Sequence, residues 1–272
     1  MSKRRKLFVF DLDGTLLNSE STVSQTNLKA LITAKEKGHL LAIATGRNFP
    51  FAQMVMKDHW NIFDYYLGCN GAIMHNIKAK QFWHSSKTID YSLIDYLIER
   101  LKTIGGGLQI STIWNVYAQL FLVYENQSFL NHSKKSYFED WDLPDQMSDE
   151  DKTKIIQVSI HVDPELITNI AKQIQDHFGS KYAVTITSNT NIDINLNKVN
   201  KLFGIKEIAK IEQISDLAVY VFGDTQNDIP GLEYYKNSYA MANSLDETKV
   251  AAKNTIGSNN TDAIAKVVMN NI

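Results

Sequence analysis

Cysteine is almost absent from this 272-residue sequence, which contains only Cys69. A single cysteine excludes a disulfide bond within the chain, so a reducing cytoplasm is the expected location. Cys69 ends an apolar run that begins at Tyr65. A buried packing role is therefore favoured over that of a reactive thiol.

The sequence also lacks an excess of charge of either sign, and it lacks long apolar segments. Lys and Arg number 28 against 30 Asp and Glu, a formal net charge of -2. This balance provides no basic field for binding a nucleic acid. No apolar run approaches the length that spans a membrane, and Asp11 and Asp13 interrupt the first one too early for a signal peptide. We therefore expect neither a nucleic acid nor a membrane as partner.

A short apolar run near the start of the chain ends abruptly in acidic residues. Lys6 to Phe10 has the pattern of a buried parallel strand, and Asp11, Asp13 and Gly14 follow it. On an extended backbone the two aspartates would point to the same side, where their charges repel unless a cation or a shared proton intervenes. Mg²⁺, which prefers oxygen ligands, is the expected cation. Taken alone, Asp-Leu-Asp-Gly is equally consistent with an ordinary turn.

Two further apolar strands also end in polar loops. Leu40 to Ala44 precedes Thr45-Gly46-Arg47, and Leu217 to Phe222 precedes Gly223-Asp224-Thr225-Gln226-Asn227-Asp228. The carboxyl ends of neighbouring parallel strands meet at one edge of a sheet. If these strands are neighbours, Asp224 faces Asp11 and completes an oxygen-rich site for Mg²⁺. A hydroxyl group and backbone N–H groups at such an edge can bind phosphate oxygens.

The order of the predicted elements indicates two domains. Alternating strands and helices in residues 1–80 predict an α/β domain with a doubly wound parallel sheet. Residues 81–190 contain a predicted strand from Val116 to Tyr124 and a strict apolar alternation from Ile156 to Val162, which together predict an inserted α+β domain. Ile192-Asp193-Ile194 is expected to return to the first domain, which then includes residues 191–272.

Taken together, these motifs resemble those of the haloacid dehalogenase (HAD) superfamily, and in particular its Cof-type subgroup with a type IIB cap. Asp11-Leu12-Asp13-Gly14-Thr15 is similar to motif I, Thr45-Gly46-Arg47 to motif II and Gly223 to Asp228 to motif IV. Asn70-Gly71-Ala72 and Tyr239-Ala240-Met241-Ala242-Asn243 also match stretches usual in the subgroup. The resemblance covers nearly the whole chain. It implies a HAD-like Rossmannoid core with an inserted α+β cap domain.

The resemblance implies a role for each matched residue. Asp11 would be the nucleophile that forms an aspartyl-phosphate, and Asp13 would be the acid and base, which requires a proton on Asp13 at the first step. Asp11, Asp224 and the backbone carbonyl of Asp13 would hold Mg²⁺, with Asp228 as a further ligand or as support for the others. The phosphoryl oxygens would contact the side chains of Thr45 and Asn227 and the N–H groups of Leu12 and Gly46.

The family also uses a lysine before motif IV, and here the sequence departs from the usual pattern. Where relatives often have Val-Ser-Lys-Gly, this chain has Val199-Asn200-Lys201-Leu202, with Lys198 nearby. The position in the pattern favours Lys201 over Lys198 as the cation that balances the nucleophile and the phosphate. At least one of the two is expected to be an ordinary solvent-exposed lysine.

The resemblance therefore implies a Mg²⁺-dependent phosphatase that hydrolyses small phosphorylated metabolites, such as sugar phosphates, through an aspartyl-phosphate. The inserted domain would close over the site, exclude water and select the leaving group. A phosphomutase is an alternative, because related caps occur in sugar phosphomutases. A non-catalytic regulatory module that binds phosphorylated metabolites is another, although the intact acidic residues of motifs I and IV argue against it.

Overall fold

A computed structural model describes residues 5–123, 138 and 141–272 of the chain. The chain divides into two compact units, the first formed by Met1–Trp83 with Asn200–Ile272 and the second by His84–Val199. None of the helices in the described ranges combines the length and the apolar character that crossing a bilayer requires.

Thirteen strands and nine α-helices form within the described residues. The strands are β1 (Leu7–Phe10), β2 (Leu40–Ala44), β3 (Tyr65–Gly68), β4 (Ile73–Asn76), β5 (Gln81–His84), β6 (Gly106–Thr112), β7 (Val116–Phe121), β8 (Ile155–His161), β9 (Tyr182–Ile186), β10 (Asn191–Leu196), β11 (Val219–Gly223), β12 (Asn237–Met241) and β13 (Asn254–Ile256). The helices are α1 (Gln25–Glu36), α2 (Phe49–Met56), α3 (Tyr91–Ile104), α4 (Asp149–Lys152), α5 (Ile167–Phe178), α6 (Lys201–Ile211), α7 (Ile229–Tyr234), α8 (Asp246–Ala251) and α9 (Ala263–Asn270).

The first unit is built on an eight-stranded sheet in the order β13-β12-β11-β1-β2-β3-β4-β5. The six strands from β13 to β3 pair in parallel, and β4 runs antiparallel to β3. Strands β1 and β11 are buried along their whole length, as central strands covered on both faces must be. The prediction of an α/β fold with a parallel sheet is confirmed. The carboxyl ends of β11, β1 and β2 are adjacent, which places the three polar loops at one edge.

Side chains of alternate residues on the central strands pack on opposite faces of this sheet. Leu7 and Val9 of β1 belong to a buried cluster with residues of α6, among them Ile205 and Ile208. On the other face Phe10 stacks on Phe222 with ring centroids 4.9 Å apart. This two-sided burial stabilises the strand that carries the first acidic loop.

Helix α6 approaches the sheet closely at Gly204. A Cβ atom at this position would lie 2.7 Å from Cδ2 of Leu67, a buried residue of β3. A larger residue would therefore hold the helix away from the sheet. Because α6 begins at Lys201, this packing also sets the position of that lysine.

The second unit contains a five-stranded sheet in the order β7-β6-β8-β10-β9. Its neighbouring strands pair antiparallel. In β8, Val158 and Ile160 join a buried cluster with Leu97 of α3 and Ile170 of α5. The polar residues Gln157 and Ser159 between them are buried too, so the apolar alternation of the sequence does not mark a solvent-exposed face on this strand. The strand predicted from Val116 to Tyr124 forms from Val116 to Phe121, and Tyr124 lies outside the described residues.

The chain returns to the first unit later than the sequence predicted. Ile192-Asp193-Ile194 lies in β10, which pairs antiparallel with both β8 and β9. Residues 191–199 therefore belong to the second unit, and the predicted boundary at residue 191 is wrong. The alternation of apolar and polar residues shows that one face of a strand is buried, but it does not show which strand will be the pairing partner.

Replacing Gly204 with alanine is expected to destabilise the protein relative to the matched variant Gly231→Ala. The methyl group at residue 204 would press against Leu67, and overpacking costs about 1–3 kcal/mol. Alanine favours a helix over glycine by up to about 1 kcal/mol, which offsets part of this cost. At Gly231 in α7 the nearest atom would lie 3.5 Å away, so no clash opposes that gain. Urea unfolding should give Gly204→Ala the lower midpoint, and the reverse order would contradict the packing described.

Candidate active site

Three acidic side chains from two loops meet at the carboxyl edge of the first sheet. Asp11 follows β1, whereas Asp224 and Asp228 follow β11. Each offers a carboxylate oxygen, and these oxygens lie within 4.8 Å of one another. All three residues are buried. Phe10 pairs with Phe222 across the two strands, which brings residues distant in sequence into one cluster.

Lys201 places a cation inside this acidic cluster. Its Nζ atom donates to Oδ1 of Asp11 at 2.6 Å and to Oδ1 of Asp228 at 2.7 Å. The side chain is only 2% exposed. Burial disfavours the ammonium form, but the charges of Asp11 and Asp228 outweigh this effect and raise the pKa of Lys201. Lys201 therefore stays charged although it is buried. Lys198, the other lysine considered from the sequence, is exposed to solvent.

The first turn of α6 fixes the backbone of Lys201. The preceding Asn200 is the N-cap residue, and its side-chain oxygen accepts a hydrogen bond from the N–H group of Phe203 at 3.0 Å. An asparagine is among the preferred residues at this position because it satisfies a backbone donor that the helix cannot. Asn200 stands where relatives often have serine, and it still caps the start of α6.

Burial and mutual repulsion make two of the carboxylates hard to ionise. Burial raises the pKa of Asp11 well above its usual value; Lys201 opposes this shift, and the charges of Asp228 and Asp224 add to it. Burial, followed by the charge of Asp228, raises the pKa of Asp224 to about 7, although Thr15 donates a hydrogen bond to it at 2.8 Å. One ammonium does not balance this group of acids, so a further cation would stabilise the ionised forms.

Asp228 is engaged through both of its carboxylate oxygens. Oδ1 accepts from Lys201, and Oδ2 accepts from the N–H groups of Asp224 at 3.0 Å and Thr225 at 3.1 Å. Gly223 permits this closeness, because a Cβ atom there would lie 2.4 Å from Cγ of Asp228. Asp228 therefore fixes both the backbone of the loop after β11 and the position of the Lys201 ammonium group.

Asp11 and Asp224 each keep one oxygen without a hydrogen bond. Within the described part of the chain, no donor reaches Oδ2 of Asp11 or Oδ2 of Asp224. Two carboxylate oxygens in a buried acidic cluster suit a divalent cation that prefers oxygen ligands. The donor set thus fits a metal ion at this edge of the sheet.

Gly14 lets the first loop approach the second. Its φ angle is +75°, in the left-handed region, and a Cβ atom there would lie 2.2 Å from Oδ2 of Asp224. Any other residue would be strained and would displace that carboxylate. The carbonyl oxygen of Gly14 accepts a hydrogen bond from the side chain of Asn243 at 2.8 Å, which fixes the turn.

Asp13 does not join the acidic cluster, contrary to the expectation that it would lie on the same side as Asp11. Its carboxylate accepts two hydrogen bonds of 2.7 Å, one from Nε and one from Nη2 of Arg47. The side chain of Asp13 is 54% exposed, whereas Asp11 is buried. The chain has left the extended conformation at this point, so alternation along a strand no longer sets side-chain direction. The sequence had placed Arg47 in motif II without assigning it a contact.

The residues predicted to bind phosphate lie at the same edge as the acidic cluster. Thr45 is buried at the end of β2, and its hydroxyl accepts a hydrogen bond from the N–H group of Arg47 at 3.2 Å. Asn227 donates to the side chain of Asn70 at 3.0 Å. Leu12 is buried in the loop after β1, and Gly46 follows Thr45 directly.

Buried acids and a lysine at the carboxyl edge of a parallel sheet lie where ligands bind in α/β folds, and they suit phosphoryl transfer, which depends on positioning and charge neutralisation. The sequence family described as haloacid dehalogenase-like hydrolase matches residues 8–268. The chain therefore belongs to the haloacid dehalogenase-like hydrolases. The family resemblance inferred from the sequence motifs is confirmed.

Several known proteins are similar to nearly the whole of this chain. YitU of Bacillus subtilis (strain 168), a 5-amino-6-(5-phospho-D-ribitylamino)uracil phosphatase, is 22% identical over 276 residues, which is 98% of this chain and 97% of YitU. A HAD/COF-like hydrolase from Plasmodium vivax has a TM-score of 0.81 at 24% identity, covering 97% of this chain and 94% of that one. The HAD subclass IIB sugar phosphatase BT4131 has a TM-score of 0.78 at 21% identity, covering 97% and 98%. At these identities the structural likeness shows a common fold.

Lys201→Ala is expected to lower kcat for a generic phosphate ester by about 10²–10³-fold, because a buried charge that stabilises the reacting groups is lost. Lys198→Ala is the matched control and should retain wild-type turnover, since residue 198 is exposed. Circular dichroism would establish that both variants are folded. Near-normal turnover of Lys201→Ala would show that the ion pair with Asp11 is not needed for the reaction.

The affinity for a divalent cation is expected to fall as the pH is lowered. Because burial raises the pKa of Asp224 to about 7, protons compete with the cation below this pH. Displacement of one proton raises the dissociation constant by up to about tenfold for each pH unit below that pKa. Calorimetric titration with Mn²⁺ over this range measures the effect.

The surface variant Asp176→Asn is the matched control for this titration, because Asp176 is exposed on α5 and pairs there with the exposed Lys172. It should show the wild-type dependence on pH. Asp224→Asn should bind Mn²⁺ weakly at every pH. A wild-type affinity that does not change with pH would contradict the expectation.

Proposed function

We propose that this chain is a Mg²⁺-dependent phosphatase that hydrolyses small phosphorylated metabolites through an aspartyl-phosphate on Asp11. The observation that carries the proposal is the buried contact of Asp11 with Lys201 beside Asp224 at the edge of a parallel sheet. Burial alone disfavours the ionised form of Asp11, and the contact with the Lys201 ammonium opposes this effect and supports the role of the carboxylate as a nucleophile.

Asp11 and Asp224, together with the backbone carbonyl of Asp13, would hold the cation. The Oδ2 atoms of these two aspartates, which accept no hydrogen bond from the described residues, support this assignment. Asp228 would hold Lys201 and the backbone of the loop after β11 in position. When bound, Mg²⁺ would neutralise charge on the aspartates and on the phosphoryl oxygens.

In the first step a carboxylate oxygen of Asp11 attacks the phosphorus atom. The bond between phosphorus and the leaving-group oxygen breaks, and that oxygen takes a proton from Asp13. In the second step a water molecule attacks the phosphorus atom and gives a proton to Asp13, and the bond to Asp11 breaks. Inorganic phosphate leaves and both aspartates return to their starting states. Lys201 stays protonated and balances the charge of Asp11 throughout.

Asp13 must exchange partners to perform this proton transfer. Both of its oxygens accept hydrogen bonds from Arg47. One oxygen has to leave Arg47 before Asp13 can carry a proton to the leaving group. Arg47 would then be able to attract the negatively charged substrate.

The phosphoryl oxygens would be bound by groups of all three loops. The Thr45 hydroxyl, the Asn227 amide and the N–H groups of Leu12 and Gly46 supply donors without a negative charge, as phosphate binding requires. Small phosphorylated metabolites are the proposed substrates because YitU is a phosphatase of a phosphorylated ribitylamino-uracil and BT4131 is a sugar phosphatase.

The proposal is tested by measuring phosphate release from a panel of phosphorylated metabolites with and without Mg²⁺. Wild-type protein should release phosphate only with the cation, and chelation should stop the reaction reversibly. Asp11→Asn should lose at least about 10³-fold in kcat, because the amide cannot act as the nucleophile. The surface variant Asp176→Asn should match the wild type.

Two results would contradict the proposal. The first is phosphate release at the wild-type rate by Asp11→Asn. The second is conversion of a sugar phosphate to its isomer without release of phosphate, which would indicate a phosphomutase.

A further inference from the structure

A turn between β3 and β4 touches the motif II loop, the motif IV loop and the start of α6. It consists of Cys69, Asn70 and Gly71, and the proposed chemistry assigns it no role. We propose that Asn70 is a positioning residue, which fixes Thr45 and Asn227 relative to each other and to the start of α6 so that their donors converge on the phosphate. This inference rests on the proposed function.

The backbone of the turn adopts an unfavourable conformation. Cys69 and Asn70 have φ angles of 50° and 55°, and Gly71 follows with 89°. A left-handed conformation costs a residue other than glycine about 1–2 kcal/mol, and asparagine tolerates it better than most. Two such residues in succession persist only where surrounding contacts hold them.

The backbone of the turn holds both ends of the motif II loop. The N–H group of Asn70 donates to the carbonyl oxygen of Thr45 at 3.1 Å, and that of Cys69 donates to the carbonyl oxygen of Arg47 at 3.1 Å. These two bonds depend on the left-handed backbone, which turns successive N–H groups toward one loop. The position of Thr45 is thus set by the turn as well as by its own strand.

The side chain of Asn70 reaches the motif IV loop. Its Oδ1 atom accepts a hydrogen bond from Nδ2 of Asn227 at 3.0 Å, and Oδ1 of Asn227 accepts one from the Thr225 hydroxyl at 2.8 Å. Asn70 is 5% exposed. The side-chain amide of Asn227 is therefore held at its nitrogen by Asn70 and at its oxygen by Thr225. Of these two partners, Asn70 is the one that lies outside the motif IV loop.

The turn also packs against the start of the helix that carries the buried lysine. A Cβ atom on Gly71 would lie 2.4 Å from the carbonyl oxygen of Asn200 and 3.3 Å from Cα of Lys201. No other residue type leaves room for this contact. One short turn thus relates the positions of Thr45, Asn227 and Lys201.

Asn70→Gly is the variant that isolates the side chain, because glycine adopts a left-handed conformation without strain. We expect kcat/KM to fall about 10–100-fold and the inhibition constant of inorganic phosphate to rise at least about fivefold, as loss of a positioning contact at a reacting group predicts. The urea midpoint should stay near that of the wild type.

Gln213→Gly is the matched control, since Gln213 also has a positive φ angle of 54° but lies exposed after α6. It should retain wild-type kinetics. In a double-mutant cycle, Asn70→Gly should have little further effect on phosphate inhibition in an Asn227→Ala background, because both changes remove the same contact.

The outcomes separate this inference from the proposed function. Wild-type protein without phosphatase activity would overturn the proposed function itself. An active wild type, with Asn70→Gly unchanged in kcat, KM and phosphate inhibition, would overturn only the inference. Additive effects in the cycle, or an Asn70→Gly protein that does not fold, would also overturn it, because Asn70 would then serve the fold and not the orientation of Asn227.

Discussion

The buried contact of Lys201 with Asp11 and Asp228 is the interaction on which the site depends. Charged groups in a protein interior are costly unless they are paired and hydrogen-bonded. The ammonium group satisfies one oxygen of each aspartate, and backbone N–H groups satisfy the other oxygen of Asp228. What remains are the carboxyl groups of Asp11 and Asp224, whose ionised forms burial and mutual repulsion disfavour unless a further cation is present. A metal ion bound to their oxygens would supply that cation and would also attract a phosphoryl group.

Close backbone contacts bring the loops near enough for these interactions. Gly14 lies against the carboxylate of Asp224, Gly223 against Asp228 and Gly71 against the backbone before Lys201. At each of these positions a side chain would overlap an atom of the site. The glycines of the motifs therefore act through the absence of a Cβ atom, and their spacing in the sequence reflects where loops must touch.

Sequence reasoning located the strand ends but not all of the side-chain partners. The apolar runs before Asp11, Thr45 and Asp224 identified three loops, since a buried parallel strand is recognisable from composition alone. The pairing of Asp13 with Arg47 was not foreseen, because alternation predicts side-chain direction only while the backbone stays extended. The contact of Asn227 with Asn70 was also not foreseen, because it joins loops from different parts of the chain. Strand β10 was placed in the wrong unit for the same reason.

The sequence by itself determined the α/β class of the first unit, the three polar loops and the residue types from which a metal and phosphate site can be built. These features are local, since each depends on the order of apolar, acidic and glycine residues within a few positions. Only the tertiary structure decided which oxygens remain free, which lysine is buried and which loops share a hydrogen bond. Those outcomes depend on distances between segments far apart in the chain, and strand pairing and helix packing set those distances.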